Sequence, residues 1–146
     1  MYSKILVGTD TSPRAGRAVE HAASLAQAFG AELHVVSVYD RSPGLVVAAI
    51  EAPVVDDSEW VLEALGEVER NLAAIEADLV AQGVNVTTHV SAGDPVKAIL
   101  DVASDTGVDL IVVGNKGMKG GRRILGSVPN SVAHKAHWHV LVVQTV

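Results

Sequence analysis

No cysteine occurs in the 146 residues, which excludes disulfides, thiol catalysis and cysteine-ligated zinc. Although 49% of the residues are hydrophobic, no apolar run approaches the roughly 18 residues that a membrane helix needs. The start of the chain lacks separate charged and apolar regions. Met1-Tyr2-Ser3-Lys4-Ile5-Leu6-Val7-Gly8 enters a strand pattern at once, so no secretory signal is expected, and a cytoplasmic protein without membrane association is. Net positive charge is missing too. The formal charge is -6 at pH 7, which argues against broad nucleic-acid binding. Familiar signatures are also absent. Without G-x-x-x-x-G-K-[ST] the chain is not a standard P-loop NTPase, and no G-x-G-x-x-G follows the first strand, as a dinucleotide-binding domain would require. Nor is there a G-x-S-x-G elbow.

What is present is alternation. Ile5, Leu6 and Val7, within Lys4 to Gly8, read as a first strand. Ser12-Pro13 then reads as N-cap and first helical position. Ala15, Ala18, Val19, Ala22, Leu25, Ala26 and Phe29 follow at helical spacing, and Gly30 closes that helix. Leu33 to Tyr39 is a second strand. A loop from Asp40 to about Asp56 carries the unusually apolar run Leu45-Val46-Val47-Ala48-Ala49-Ile50. Val61, Leu65, Val68, Leu72, Ile75 and Leu79 form one stripe of a long helix that Gly83 ends. Val84 to Ser91 is a third strand, Asp94-Pro95 opens the next helix, and Gly107 ends it. Leu110 to Val113 is apolar throughout, as suits a strand buried on both faces. A helix from about Ser127 to Ala136 and a strand from Val140 to Val143 complete the chain. This β-α-β-α-β-α-β-α-β order predicts one α/β domain over residues 1–146: a single open, parallel, five-stranded, Rossmann-like sheet with helices on both faces.

In such a sheet ligands bind beyond the carboxyl ends of strands where the strand order reverses. Two strand ends carry suitable chemistry, Gly8-Thr9-Asp10-Thr11-Ser12 and Val113-Gly114-Asn115-Lys116-Gly117. The second leads to Gly126-Ser127-Val128-Pro129-Asn130, a fresh helix start. Glycine lets backbone N–H groups approach a phosphate closely, and a helix N-terminus adds unpaired N–H groups and partial positive charge. Lys116, Lys119, Arg122 and Arg123 cluster beside it in an otherwise acidic chain. The same residues also suit a plain strand-to-helix loop with a solvated basic surface. Asp10 equally suits a helix cap, and Asp94 a structural cap before Pro95.

Three segments together resemble a universal stress protein domain: Ile5-Leu6-Val7-Gly8-Thr9-Asp10-Thr11-Ser12, Ser91-Ala92-Gly93-Asp94-Pro95, and Asp109 to Val143. The resemblance spans essentially the whole chain. Its sharpest part runs from Gly114-Asn115-Lys116-Gly117-Met118 through Leu125-Gly126-Ser127 to Val140-Leu141-Val142-Val143. That part is similar to the ATP-binding branch of the family, with a spacer of eight residues, Met118 to Leu125, one short of the common form. The resemblance implies an adenine nucleotide alpha hydrolase-like fold holding ATP with Mg²⁺. Thr9 and Asp10 would lie beside the nucleotide, Asp10 contacting ribose or helping to hold the cation. The main chain at Val38 would read the adenine edge. Val113, Gly114 and Gly117 would bring the backbone close to ribose and phosphates. Gly126, Ser127 and Val128 would offer N–H groups, and Ser127 its hydroxyl, to the phosphates.

No dedicated base for phosphoryl transfer is evident, so slow hydrolysis at most is expected. Cyclic AMP at the same cradle, a nucleotide-independent interaction module and a true nucleotide-hydrolysing enzyme are the alternatives. His134, His137 and His139 straddle a helix end and a strand start without a neighbouring carboxylate, which favours a solvated or interfacial cluster over a metal site. The last strand is apolar, and an exposed apolar edge needs cover. In the family that strand commonly pairs with its own copy, which implies a homodimer.

Overall fold

The computed structural model describes residues 1–39, 57–115 and 127–145. The elements run β1 (Lys4–Thr9), α1 (Gly16–Phe29), β2 (Glu32–Tyr39), α2 (Asp57–Ala81), β3 (Val86–Ala92), α3 (Pro95–Thr106), β4 (Leu110–Gly114), α4 (Ser127–Lys135) and β5 (His139–Val143). The five strands form one sheet in the order β3-β2-β1-β4-β5, and every pairing is parallel.

The apolar strands are buried on both faces. Ile5, Val7, Leu33, Val35, Leu110 and Val112 pack against the alanine-rich stripe of α1 and against Leu72 and Leu79 of α2. Their neighbours Leu6, Val36, Ile111 and Val113 point the other way, onto Val96, Ile99 and Val102 of α3 and Val132 of α4. Helices on both faces of a parallel sheet thus follow from continuous rather than alternating hydrophobicity in the central strands.

Most boundaries fall as the sequence predicts. Gly30 and Gly107 close α1 and α3 in the left-handed conformation, at φ 64° and 68°, where a side chain would be strained. Asp94 caps α3, its carboxylate accepting the Val96 N–H at 3.2 Å ahead of Pro95. Ser12 caps the first turn of α1 as expected. Its Oγ accepts the Ala15 N–H at 3.2 Å and its carbonyl the Gly16 N–H at 3.2 Å, and the turn runs through Ala15, at φ −65° and ψ −22°, into the regular helix from Gly16. The third strand begins later than expected, at Val86. Val84 is instead drawn into the end of α2, its N–H donating to the Leu79 carbonyl at 3.0 Å, so its buried side chain closes the helix rather than opening the strand.

At the amino ends of the strands Asp109 ties β1 to β4. Its Oδ2 accepts the Ser3 N–H and hydroxyl, both at 2.9 Å, and its Oδ1 the Lys4 N–H at 3.3 Å. Partial burial pushes this carboxyl up, but the donors from Ser3 and Lys4 outweigh it and hold it below the usual carboxylate range.

Candidate functional site

The strand order reverses between β1 and β4, and a cavity of about 480 Å³ opens there at the carboxyl ends of the strands. That volume is within the usual range for a small-molecule site. One side is apolar: Val36 and Val38 of β2, with Pro95 and Ile99 of α3. The other carries the polar groups among apolar ones: Thr9, Asp10, Ser12 and Arg14 follow β1 together with Pro13 and Ala15, while Gly114 ends β4 and Val128 and Pro129 lie in the first turn of α4. A flat ring fits the first side and an anionic, hydrogen-bonding group the second.

The β1 exit builds its part of the site by leaving the ladder sharply. Thr11 adopts φ 62°, a strained conformation for a β-branched residue. Its N–H turns back to Thr9 Oγ1 at 3.0 Å, and the Ser12 N–H donates to Asp10 Oδ1 at 2.9 Å. The carboxylate of Asp10 therefore does cap a turn, as the simpler reading held. Its second oxygen is not needed for that task, and the residue lines the cavity.

The β1 exit also affects Val38. The Glu32 N–H points to β1, donating to Ser3, and the Leu33 N–H points to β3, donating to Asn85. By this alternation the Val38 carbonyl points towards β1. The β1–β2 register ends at Thr9↔Ser37, and the next donor along that edge, the Thr11 N–H, is spent on Thr9. The Val38 carbonyl is thus left without a ladder donor beside the cavity, able to accept an amine hydrogen.

Thr9, Asp10, Val38, Val113, Gly114 and Val128 all line this cavity. Ser127 opens α4 but is exposed and does not line it. Gly117 and Gly126 lie outside the described residues, as do Lys116, Lys119, Arg122, Arg123 and the apolar run from Leu45 to Ile50. Sequence reasoning missed Arg14, Ile99 and Thr145, all of which line the cavity. Only the Gly-Asp-Pro turn before α3 hinted that this helix comes near the site.

Among the described residues no group of three histidines or carboxylates could hold a metal ion. His139 Nδ1 instead meets the Tyr2 hydroxyl at 3.3 Å, and the His137 ring lies edge-on to Trp138. No helix among the described residues is long and apolar enough to cross a membrane.

Comparison with known proteins adds to this geometry. Residues 1–144 match the model of the universal stress protein family. The chain is 34% identical over 146 residues to a universal stress protein of Methanocaldococcus jannaschii, covering 99% of this chain and 83% of that one. Among solved structures it is similar to a universal stress protein in complex with cAMP, with a TM-score of 0.72, 29% identity, and 99% and 98% of the two chains covered. It is also similar to the universal stress protein from Archaeoglobus fulgidus in complex with dAMP, with a TM-score of 0.70, 25% identity, and 98% of each chain covered.

Proposed function

We propose, from the premise that this chain belongs to the universal stress protein family, that it binds an adenine nucleotide in the cavity between the ends of β1 and β4. The observation that carries this reading is the two-sided cavity at the point where the strand order reverses. The adenine ring lies against Val36, Val38 and Ile99, its amine donating to the Val38 carbonyl. The phosphates lie towards Gly114 and the N-terminus of α4, where main-chain N–H groups and the helix dipole favour negative charge. The first turn of α4 brings the Val128 N–H to that end, whereas Pro129 has none to give. Gly117, Gly126 and Ser127 complete the phosphate cradle in this reading.

ATP with Mg²⁺ is the preferred ligand. Asp10, with one carboxylate oxygen beyond its turn-capping role, would hold the cation together with phosphate oxygens, the manner in which Mg²⁺ is usually bound. The protein serves as a cytoplasmic nucleotide sensor in stress response and hydrolyses ATP slowly at most. Cyclic AMP is the second reading, favoured by the related protein that carries it. β5 stands at one edge of the sheet, and Val142 on it is 36% exposed. That edge supports a homodimer formed by two copies of β5.

Calorimetric titration of ATP, with and without Mg²⁺, tests the main reading on the wild type and Gly114→Val. Saturable binding that the substitution abolishes is the expected result, with cyclic AMP competing at the same site. A folded wild-type protein that binds neither nucleotide overturns it in favour of an interaction module. Sedimentation at micromolar concentration that finds only monomer overturns the dimer.

A further inference from the structure

Thr145 lies beyond the last strand, is 4% exposed, and lines the cavity. Asn115 holds it there. One atom, Asn115 Oδ1, is 3.0 Å from the Thr145 main-chain nitrogen and 3.0 Å from its hydroxyl. The Asn115 N–H donates in turn to the Val143 carbonyl at 2.7 Å. The end of β5 is thereby pinned to the residue that follows Gly114.

This arrangement determines the direction of both hydrogen bonds. A main-chain N–H can only donate, so the amide atom facing it is the oxygen and not the nitrogen. The hydroxyl faces that same oxygen, so it must donate as well. A hydroxyl has one hydrogen. Once it is committed to Asn115, Thr145 Oγ1 has only lone pairs left for a further partner. It accepts a ligand hydrogen and opposes a phosphate oxygen.

A nucleotide in this cavity has few donors to match. Its base lies against the apolar side formed by β2 and α3, and its phosphates carry acceptors only. Between them stands the sugar, whose hydroxyls are donors. We infer that Thr145 is a specificity-determining residue that accepts a hydrogen bond from a ribose hydroxyl, and that Asn115 is the positioning residue that makes it an acceptor. This rests on the adenine-nucleotide reading above and adds to it a basis for choosing ribose over deoxyribose.

The test is titration of ATP, 2′-deoxy-ATP, 3′-deoxy-ATP and adenosine into the full chain and into Thr145→Val, Thr145→Ser, Asn115→Asp and Asn115→Leu, each checked for folding by thermal melting. Wild type should bind one of the deoxy analogues about fivefold or more weakly than ATP, the size of one lost neutral hydrogen bond. Thr145→Val should bind ATP and that analogue equally while keeping the wild-type ratio of ATP to adenosine, a pattern that general loosening would not produce. Thr145→Ser and Asn115→Asp keep the required atoms and should keep the discrimination. Because Asp adds charge near the phosphates, the ratio of ATP to its deoxy analogue is the readout. Asn115→Leu should lose the discrimination. Wild type binding all three triphosphates equally, or Thr145→Val still discriminating, overturns the role of Thr145 while leaving nucleotide binding intact. Absence of any ATP binding overturns the functional reading itself.

Discussion

Gly8 lies in the middle of the sheet face that carries α3, and a Cβ placed on it would stand 3.0 Å from Ile99 Cδ1 and 3.4 Å from Ile99 Cγ1. Ile99 is 4% exposed, so its side chain is held by its neighbours. The φ of Gly8 is not positive, so alanine is allowed there, and alone would stabilise by about 0.4–1 kcal/mol through the unfolded chain. Overpacking against a buried side chain costs about 1–3 kcal/mol. Gly8→Ala should therefore destabilise by about 1 kcal/mol. The offending atom is Cδ1, which valine lacks. Ile99→Val alone should cost about 0.5–1.5 kcal/mol. In the Ile99→Val background the clash is gone, and Gly8→Ala should become neutral or stabilising. Urea unfolding of the four proteins of the cycle measures this. With a slope of about 1–3 kcal/mol/M, a coupling of ~1 kcal/mol moves the midpoint by several tenths of a molar unit. Contacting residues couple, whereas independent ones add to within about 0.5 kcal/mol. Additive effects would refute the claim that Gly8 is there to admit Ile99.

Three further outcomes follow from the same geometry. Asp94→Ala removes the cap of α3 and should lower stability by about 1 kcal/mol, measured by urea midpoint, with Asp94→Ser recovering most of the loss. Asp109→Asn should cost about 1–2 kcal/mol at neutral pH, because the Ser3 and Lys4 donors lose a charged acceptor. The folded carboxyl titrates below its unfolded value, so its stabilisation is full above the ordinary Asp range near 4 and is lost as pH falls through the folded value. The gap between variant and wild type should close there, and a pH-independent gap would refute the assignment. On β2 and β3, His34 Nδ1 lies 2.8 Å from His89 Nε2 with the rings stacked, a contact that needs one donor and one acceptor. Burial first, and His34 second, lower the pKa of His89. Its neutral form is thus favoured on folding, so stability should fall as pH drops below roughly 6.5. His89→Gln should flatten that slope in thermal melts across the range, and an unchanged slope would refute it.

Glu32 shows how such a pair depends on placement. Its Oε1 approaches His34 Nε2 to 2.9 Å, but off the line a hydrogen bond requires, so that nitrogen is buried without a bonded partner. Nothing in the sequence marks His34 and His89 as neighbours, since 55 positions separate them and only the β2–β3 register brings them together.

Local chemistry was legible where a residue acts on its own neighbours. Repeated β-α alternation implied a parallel sheet with helices on both faces, the unbroken apolar run Leu110 to Val113 suited a strand buried on both sides, and Gly30, Gly107 and Asp94-Pro95 marked helix ends because left-handed caps and carboxylate caps are satisfied within a few residues. Thr9, Asp10 and Gly114 stood at the two strand ends whose chemistry suits a ligand and to which the family resemblance pointed, and open α/β sheets leave space at such ends; all three line the cavity. Ser12-Pro13 marked the start of the first helical turn because that cap too is satisfied locally, Ser12 Oγ accepting the Ala15 N–H. What only the tertiary structure decided is what distant segments do to one another. Ile99 became the reason for Gly8 through helix packing across the sheet, and the Val38 carbonyl lost its ladder donor because Thr11 turned away. Thr145 became an acceptor in the cavity wall because Asn115, 30 positions earlier, took its only hydrogen. A sequence records which groups can donate or accept, but which partner each has already met depends on the folded chain.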